Sequence, residues 1–310
     1  RNIVYTGSFT PDQYSNSLTS GNYQASNVDK YVETRMHNVT LQYHSGVGFD
    51  VGGDYTHYTS DNNQTLLADY ADGGQSSFSI IGGQKIDRYS IYADRKRHLA
   101  KEWNLGYGIS YRFAKDRDFQ TYDKVTGDIP TENTDSRLRE QTANFYVSLS
   151  RNYATGTSVS VSATGEYYTI GGYRKWAVYP QASLTYVKSP KHLFQLSLST
   201  DKTYPGYWDM QSSVSHLNGY TELWGTPGLK PSTTYNLNGN YIWKQKYIFG
   251  LFFMRTSDFF VQTGYQSTDR LALIYKNTNW NYMQMWGANI ILPFKAGNWL
   301  DSRLTLVGMQ

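Results

Sequence analysis

The chain has 310 residues, a formal net charge of +4 and no cysteine. This composition excludes a disulfide scaffold and any cysteine-ligated metal site, and the small, scattered charge gives no argument for nucleic acid as a partner. Hydrophobic residues make up only 39% of the chain, and no apolar run approaches the ~18 residues of a membrane helix. Because the chain nevertheless contains 29 tyrosines and 8 tryptophans, the positions of the aromatic residues carry the first structural signal.

Apolar and polar residues alternate with a period of two along most of the chain, which predicts strands with one apolar and one polar face. The predicted strands lie near residues 34–44, 47–58, 77–93, 101–114, 138–152, 157–169, 175–188, 191–203, 232–243, 247–262, 279–294 and 299–310. No long segment has a 3.6-residue period, so the predicted fold class is all-β. Residues 1–33 show no definite pattern, and Pro180 predicts a bulge or a broken ladder in mid-strand.

Short and long connections alternate down the chain. The short turns lie at 154–156, 188–190, 244–246 and 295–298, and the long polar connections at 59–76, 114–137, 204–231 and 263–278. Only 170–174 is short where a long connection is expected. In a transmembrane β-barrel the short turns are periplasmic and the long loops are extracellular.

Aromatic residues stand at the ends of several apolar rows, about as far apart as the two interfaces of a bilayer. These predicted girdle residues are Trp103, Trp176, Tyr186, Tyr235 and Trp243. Together with the alternation, they predict a transmembrane antiparallel up-and-down β-barrel. Leu237, Tyr241, Val161 and Leu196 are expected to face lipid, and Asn238, Ser160 and Ser197 the lumen. A soluble propeller or sandwich is disfavoured because no fixed-period repeat is present and the strands exceed the usual 5–6 residues.

One loop-to-strand segment carries a family resemblance. Residues 225–232, Gly-Thr-Pro-Gly-Leu-Lys-Pro-Ser, resemble the signature Gly-Asn-Pro-x-Leu-Lys/Arg-Pro-Glu of the TonB-dependent receptor superfamily. The matching residues are Gly225, Pro227, Leu229 and Pro231, whereas Thr226 and Ser232 depart from the signature and indicate a divergent branch. Residues 204–224 are also similar to the barrel domain of these receptors.

The resemblance implies a barrel of twenty-two strands with an N-terminal plug inside it. About twelve strands are visible in the chain, and neither a plug nor a TonB box is visible before residue 33. Residues 1–310 are therefore expected to be an outer-membrane barrel segment of a longer chain. The alternative is a small complete barrel of about twelve to fourteen strands.

The function implied by the resemblance is that of a TonB-dependent receptor or transporter in the bacterial outer membrane, which takes up a siderophore, a vitamin or a glycan. The alternative is a non-energised barrel, either a porin or the scaffold of a surface complex. The implied partners are outer-membrane lipid and lipopolysaccharide, a TonB-type energising protein if a plug lies upstream, and a surface lipoprotein. No catalytic motif or metal-ligand spacing is found, so neither an enzyme nor a cofactor is predicted.

The segment 204–231 is the candidate ligand-binding loop because it concentrates aromatic residues. They are Tyr204, Tyr207, Trp208, Tyr220 and Trp224. On an extracellular loop such side chains can stack on a sugar or an aromatic chelate. The alternative is that they pack one loop against another or belong to the outer girdle.

Overall fold

The computed structural model describes residues 2–21, 24–127 and 131–310. Nearly all of them lie in fifteen β-strands, with one short α-helix and one 3-10 turn at Ala100–Glu102. The elements are β1 (Asn2–Ser20), β2 (Gln24–His44), β3 (Phe49–Tyr70), β4 (Gln75–His98), β5 (Trp103–Thr126), β6 (Thr134–Asn152), β7 (Ser158–Ile170), β8 (Tyr173–Ser189), β9 (His192–Thr203), α1 (Tyr207–Met210), β10 (Val214–His216), β11 (Thr221–Trp224), β12 (Ser232–Trp243), β13 (Tyr247–Gln266), β14 (Leu273–Ala296) and β15 (Leu300–Met309). Among the described residues no helix is long and apolar enough to cross a membrane.

The strands form one up-and-down antiparallel sheet. Each strand from β1 to β9 pairs with the next, β9 pairs with β12, and β12 to β15 continue in order. All twelve predicted strands are present, and the structure adds β1, β10 and β11. The first of these lies in the N-terminal region that has no definite sequence pattern, and it pairs with β2 from Asn2↔Gln42 onward.

Several strands continue well beyond the predicted boundaries. β3 reaches Tyr70 and β4 starts at Gln75, so the predicted long connection 59–76 is a four-residue turn. β5 likewise runs to Thr126 into the predicted connection 114–137, of which residues 128–130 lie outside the described residues. These strands of 22 to 24 residues are about twice as long as the 9–11 residues needed to cross a bilayer. Roughly half of each strand therefore extends beyond the membrane.

The two faces of the sheet follow the predicted phase. Val161, Leu196 and Leu237 lie on the outward face with 47%, 51% and 43% of their surfaces exposed. Tyr241 is on the same face and stacks on Phe194 at 4.9 Å between ring centroids. The opposite phase carries the predicted lumen residues, with Asn238 paired to Ser197 and Ser160 paired to Ser150.

The ladder between β8 and β9 is broken at Pro180, as predicted. Pairing between these strands begins at Ala182↔Leu198. Above that point β9 pairs with β12 up to Ser232↔Thr203, and the Thr200 hydroxyl donates to the Pro180 carbonyl at 2.7 Å. Proline has no N–H to donate to the ladder, and the Pro180 carbonyl accepts from the Thr200 side chain instead of from a backbone N–H of β9.

Buried apolar residues form two clusters on the inward face. The first comprises Val28, Leu66, Ala68, Phe78 and Ile80 on β2, β3 and β4. The second comprises Tyr168, Ile170, Met210 and Leu229, and so joins β7 to the connection between β9 and β12. That connection is thereby fixed against the barrel wall.

Candidate ligand-binding site

The segment 204–231 folds inward across the mouth of the barrel. Met210, His216 and Leu229 are only 1–2% exposed. Their neighbours lie on the inward phase of the wall, since Gln64 is buried while Leu67, on the opposite phase of β3, is 53% exposed. Most of this segment is therefore packed against the inward face of the sheet, and a ligand-binding role of its aromatic residues stays a prediction.

The family motif anchors the returning end of the segment. A Cβ atom on Gly225 would lie 2.1 Å from the backbone oxygen of Gln211, so only glycine fits. Thr226 follows, and it donates its N–H to the Asp209 carbonyl at 2.6 Å and its hydroxyl to the Asn277 carbonyl at 2.7 Å. Leu229 and Pro231 are then buried where β12 begins. The motif thus folds the segment back on itself and ties it to β14.

A short hairpin in the middle of the segment extends the sheet. β10 and β11 pair antiparallel, and β11 pairs in parallel with the upper end of β14 from Thr221↔Leu273 to Trp224↔Lys276. β15 pairs with the lower part of β14, between Gly287↔Met309 and Ala296↔Leu300. The hairpin therefore occupies the edge of β14 above the last strand.

One end of the segment binds buried carboxylates of β6 and β7. The phenol of Tyr207 donates to Glu140, and the phenol of Tyr204 donates to Glu166. Glu166 also forms an ion pair with Lys202 and accepts from the Tyr179 hydroxyl at 3.3 Å. Burial, reinforced by the carboxylates, raises the pKa values of Tyr204 and Tyr207, so both phenols remain donors throughout the physiological range.

The middle of the segment binds β3 and β5 through backbone-like pairing with glutamine side chains. Gln120 donates to the Val214 carbonyl at 2.6 Å and accepts from the Val214 N–H at 2.8 Å. Gln64 pairs with the backbone of His216 in the same way, accepting its N–H at 3.3 Å. Two side-chain amides thus replace strand partners for β10, which leaves no backbone group unpaired at these positions.

His216 is packed against the first apolar cluster. Its ring lies 4.6 Å from that of Phe78, and its Nε2 is 2.9 Å from the Tyr122 hydroxyl. Burial lowers the pKa of His216 to about 4, although Glu222, 3.9 Å away, acts in the opposite direction. The imidazole is therefore neutral at pH 7.

Glu222 links the hairpin to the β13–β14 connection. Burial alone would raise its pKa, but hydrogen bonds from Arg270 and from the Trp224 indole lower it below the usual value. The Arg270 guanidinium contacts both carboxylate oxygens at 2.7 Å. Such a paired and hydrogen-bonded ion pair fixes the orientation of the hairpin.

The five predicted ligand-binding aromatic residues occupy different environments. Tyr204 and Tyr207 are bound to carboxylates as above, and Trp224 donates to Glu222. Tyr220 stacks on Tyr70 with 5.0 Å between centroids. Trp208 is the most exposed of the five, at 39%, and its ring lies 5.7 Å from the Lys30 ammonium. The structure thus divides the predicted cluster into four packing residues and one exposed indole.

The predicted girdle residues lie at strand ends. Trp103 begins β5 and Trp243 ends β12, each near a short turn. At that end, Arg151 lies over Trp103 and Lys244 over Trp243, at 5.8 and 4.4 Å. Trp176 lies near the opposite end of the sheet and is 76% exposed. Tyr186 and Tyr235 complete the set on the outward phase of β8 and β12, and their role as an interfacial girdle stays a prediction.

Sequence reasoning missed the ionisable side chains that hold the segment in place. Glu140, Glu166, Lys202, His216 and Arg270 give no motif. Glu166 lies on the same inward-facing phase of β7 as Ser160, so the strand pattern alone could have predicted a carboxylate that faces the lumen. Lys202 and Arg270 gave none, because their roles depend on contacts made by a folded connection.

The architecture described above matches known proteins. A model of the outer membrane protein beta-barrel family matches residues 44–310. The chain belongs to this family. Accordingly, it lies in the bacterial outer membrane, and its all-β barrel fold is confirmed.

Solved structures similar to the chain are outer-membrane receptors and transporters. They include the siderophore receptor PirA of Pseudomonas aeruginosa (11% identity, 99% of this chain and 62% of that chain, TM-score 0.49) and the hemophore receptor HasR of Serratia marcescens in complex with HasA and heme (8%, 99% and 63%, 0.50). The copper transporter OprC is similar at 10% identity, with 99% of this chain and 61% of that chain covered and a TM-score of 0.48. A comparison with curated protein sequences finds no match.

The chain spans about three fifths of the length of these solved structures, 62% and 63% for the first two. The family match confirms the outer-membrane barrel domain that the strand pattern and the motif at 225–232 indicate. At sequence identities of 8–11%, the similarity to these solved structures is evidence for a shared fold and for nothing more.

Proposed function

We propose that the full-length protein is a TonB-dependent receptor that takes up a scarce nutrient across the outer membrane. The observation that carries this proposal is the segment 204–231, which crosses the mouth of the barrel and is bound to β6 and β7 at one end and to β3 and β5 in the middle. A passive porin needs an open aqueous lumen. A buried, ion-paired segment held across the inward face of the sheet instead supports transport that must be driven.

The surface of this segment offers a first contact for the nutrient. Trp208 presents an exposed indole beside the Lys30 ammonium. An aromatic face next to a cation suits a planar or anionic ligand, through stacking and charge. Growth tests with a panel of ligands would decide whether the nutrient is a siderophore, a vitamin or a glycan.

The test compares energised with passive entry. A strain that lacks the gene is complemented with the full-length gene and grown with ferric siderophores, cobalamin or oligosaccharides as the limiting nutrient. We expect growth on one class to require the gene and to be abolished when the TonB-type energising protein is deleted. Purified full-length protein in liposomes should not admit small sugars faster than empty liposomes.

Rapid sugar entry into the liposomes, with growth independent of the energising protein, would overturn the proposal in favour of a porin. If neither growth nor sugar entry depends on the gene, the scaffold of a surface complex is the remaining reading. A stable lipoprotein that co-purifies with the full-length protein would then identify that complex.

A further inference from the structure

Two carboxylates on the inward face of β5 are buried without a cationic partner. Asp116 and Asp118 are each 3% exposed and lie two residues apart on one face of the strand. Neither forms an ion pair with any residue in 2–21, 24–127 or 131–310. Asp116 accepts one hydrogen bond, from the Gln84 amide at 2.9 Å. Buried charges in proteins are normally paired or bound to a metal.

Two residues with an unsatisfied oxygen, Asp118 and Gln211, line a crevice between β5 and the segment 204–231. Asp118, Gln84, Trp208, Gln211 and Ser213 are among the side chains that line this crevice, which encloses about 30 Å³. That volume holds one or two water molecules or a single metal ion. Asp116 lies beside it, joined through Gln84.

Strand β5 and the segment 204–231 both contribute buried oxygen atoms that accept no hydrogen bond. Asp116 Oδ2, Asp118 Oδ1 and Gln211 Oε1 are buried and accept no hydrogen bond from the described residues. Gln211 itself is 3% exposed. The nearby amides behave differently, because Gln64 and Gln120 bond on both sides to the backbone of β10. At this crevice, therefore, Asp118 on the strand and Gln211 on the segment each keep an acceptor that no described residue satisfies.

We propose that this crevice binds a Ca²⁺ ion that fastens the segment 204–231 to β5. Carboxylate, amide and hydroxyl oxygens are the ligands that hard cations prefer. Ca²⁺ accepts irregular sets of six to eight oxygens, whereas Mg²⁺ requires a near-ideal octahedron, so an uneven set drawn from a strand and a connection favours Ca²⁺. The ion binds the Asp118 carboxylate and supplies the partner that the Gln211 amide oxygen lacks, and its charge also offsets that of the neighbouring Asp116.

The probe for this site is Tb³⁺, a luminescent substitute for Ca²⁺ that is excited by a nearby tryptophan. Full-length protein purified in detergent is stripped with a chelator and titrated with Tb³⁺ under tryptophan excitation. We expect saturable emission that Ca²⁺ displaces, and that Trp208→Phe strongly reduces because Trp208 lines the crevice. Asp118→Asn should weaken binding by about tenfold or more, since affinity depends on ligand charge.

The matched control is Asp135→Asn, which removes an exposed carboxylate that pairs with Arg117 on the outside of the sheet. Binding by this variant should equal that of the unaltered protein, and lipopolysaccharide carried through purification affects both samples alike.

A thermal melt tests folding independently. In chelator, Asp118→Asn should melt at the same temperature as the unaltered protein or higher, because a buried charge is gone. Only the unaltered protein should gain stability from Ca²⁺.

Two results would overturn the proposal. The first is emission that is equal in Asp118→Asn and in the unaltered protein. The second is an absence of saturable binding up to about 10 mM cation, well above the dissociation constants of extracellular calcium sites. In the second case the carboxyl groups are held protonated, and the crevice contains water.

Discussion

Leu237 is the residue at which the lipid-facing phase is tested most directly. It lies in the middle of β12, is 43% exposed on the outward face, and is flanked by Leu198 and Phe253. Leu237→Arg should lower the free energy of unfolding by roughly 2–4 kcal/mol, because a charge near the bilayer midplane loses its hydration. Urea unfolding of the full-length protein in lipid vesicles measures this difference.

The control for that substitution is Asn236→Arg on the neighbouring inward position. Asn236 donates to Asp201 at 3.2 Å, so an arginine there has water and a counterion. We expect a much smaller loss of stability than for Leu237→Arg. Equal losses at the two positions would contradict the assignment of the two faces.

His216 makes the mouth of the barrel sensitive to acid. Burial lowers its pKa from 6.5 to about 4, so the folded protein binds fewer protons than the unfolded one between these values. Stability is thus fully present above pH 6.5 and is lost as the pH falls toward 4. The loss is at most roughly 3 kcal/mol, and we expect it to open the segment around β10 first.

Hydrogen exchange of residues 211–224, corrected for the intrinsic rate at each pH, measures this opening. Protection should fall between pH 6.5 and 4 in the unaltered protein. In His216→Gln it should change far less, because glutamine does not titrate there and can still bond to Tyr122. An identical pH profile for the two proteins would show that other groups control the segment.

At the scale of elements, the connection between β9 and β12 is positioned by one glycine. A Cβ on Gly225 would meet the Gln211 backbone at 2.1 and 2.9 Å, so the backbone itself has to move. Gly225→Ala should destabilise the closed arrangement of 204–231 by about 1–3 kcal/mol, the usual cost of overpacking. Faster hydrogen exchange across this segment, with the strands unchanged, is the expected result.

Gly228→Ala is the matched control, because a Cβ there meets no atom within 4 Å. Its exchange should equal that of the unaltered protein. If both variants exchange alike, the close approach of Gly225 to Gln211 does not hold the segment in place.

The strands could be predicted from the sequence because a period of two follows directly from backbone geometry. Their lengths could not: turn-like residues such as Asn62 and Asn63 lie within β3 because β2 pairs with them and β4 pairs with β3 before and after them. The fold of residues 204–231 could not be predicted from the sequence either. His216 and Gln64 are 152 positions apart, and no local pattern reports such a contact.

On the scale of the whole molecule, the two ends of the sheet differ. At one end every turn has two to five residues, as between β6 and β7 or between β12 and β13, whereas the other end combines short turns (β3–β4 and β7–β8) with longer connections. The other has the connections that carry the segment 204–231 and the strands that extend beyond the membrane. The pattern predicts that the first end is periplasmic and the second extracellular.

This orientation can be measured by single-cysteine labelling, because the chain has no cysteine of its own. Asp72→Cys and Gly228→Cys place an exposed thiol at the predicted extracellular end, and Thr155→Cys and Gln245→Cys place one at the periplasmic end. A membrane-impermeant maleimide on intact cells should label only the first pair, because the outer membrane keeps the reagent from the periplasm. Permeabilised cells should label all four variants, which controls for thiol reactivity. Labelling of Thr155→Cys and Gln245→Cys in intact cells, with Asp72→Cys and Gly228→Cys protected, would reverse the orientation and place the segment 204–231 at the periplasmic end.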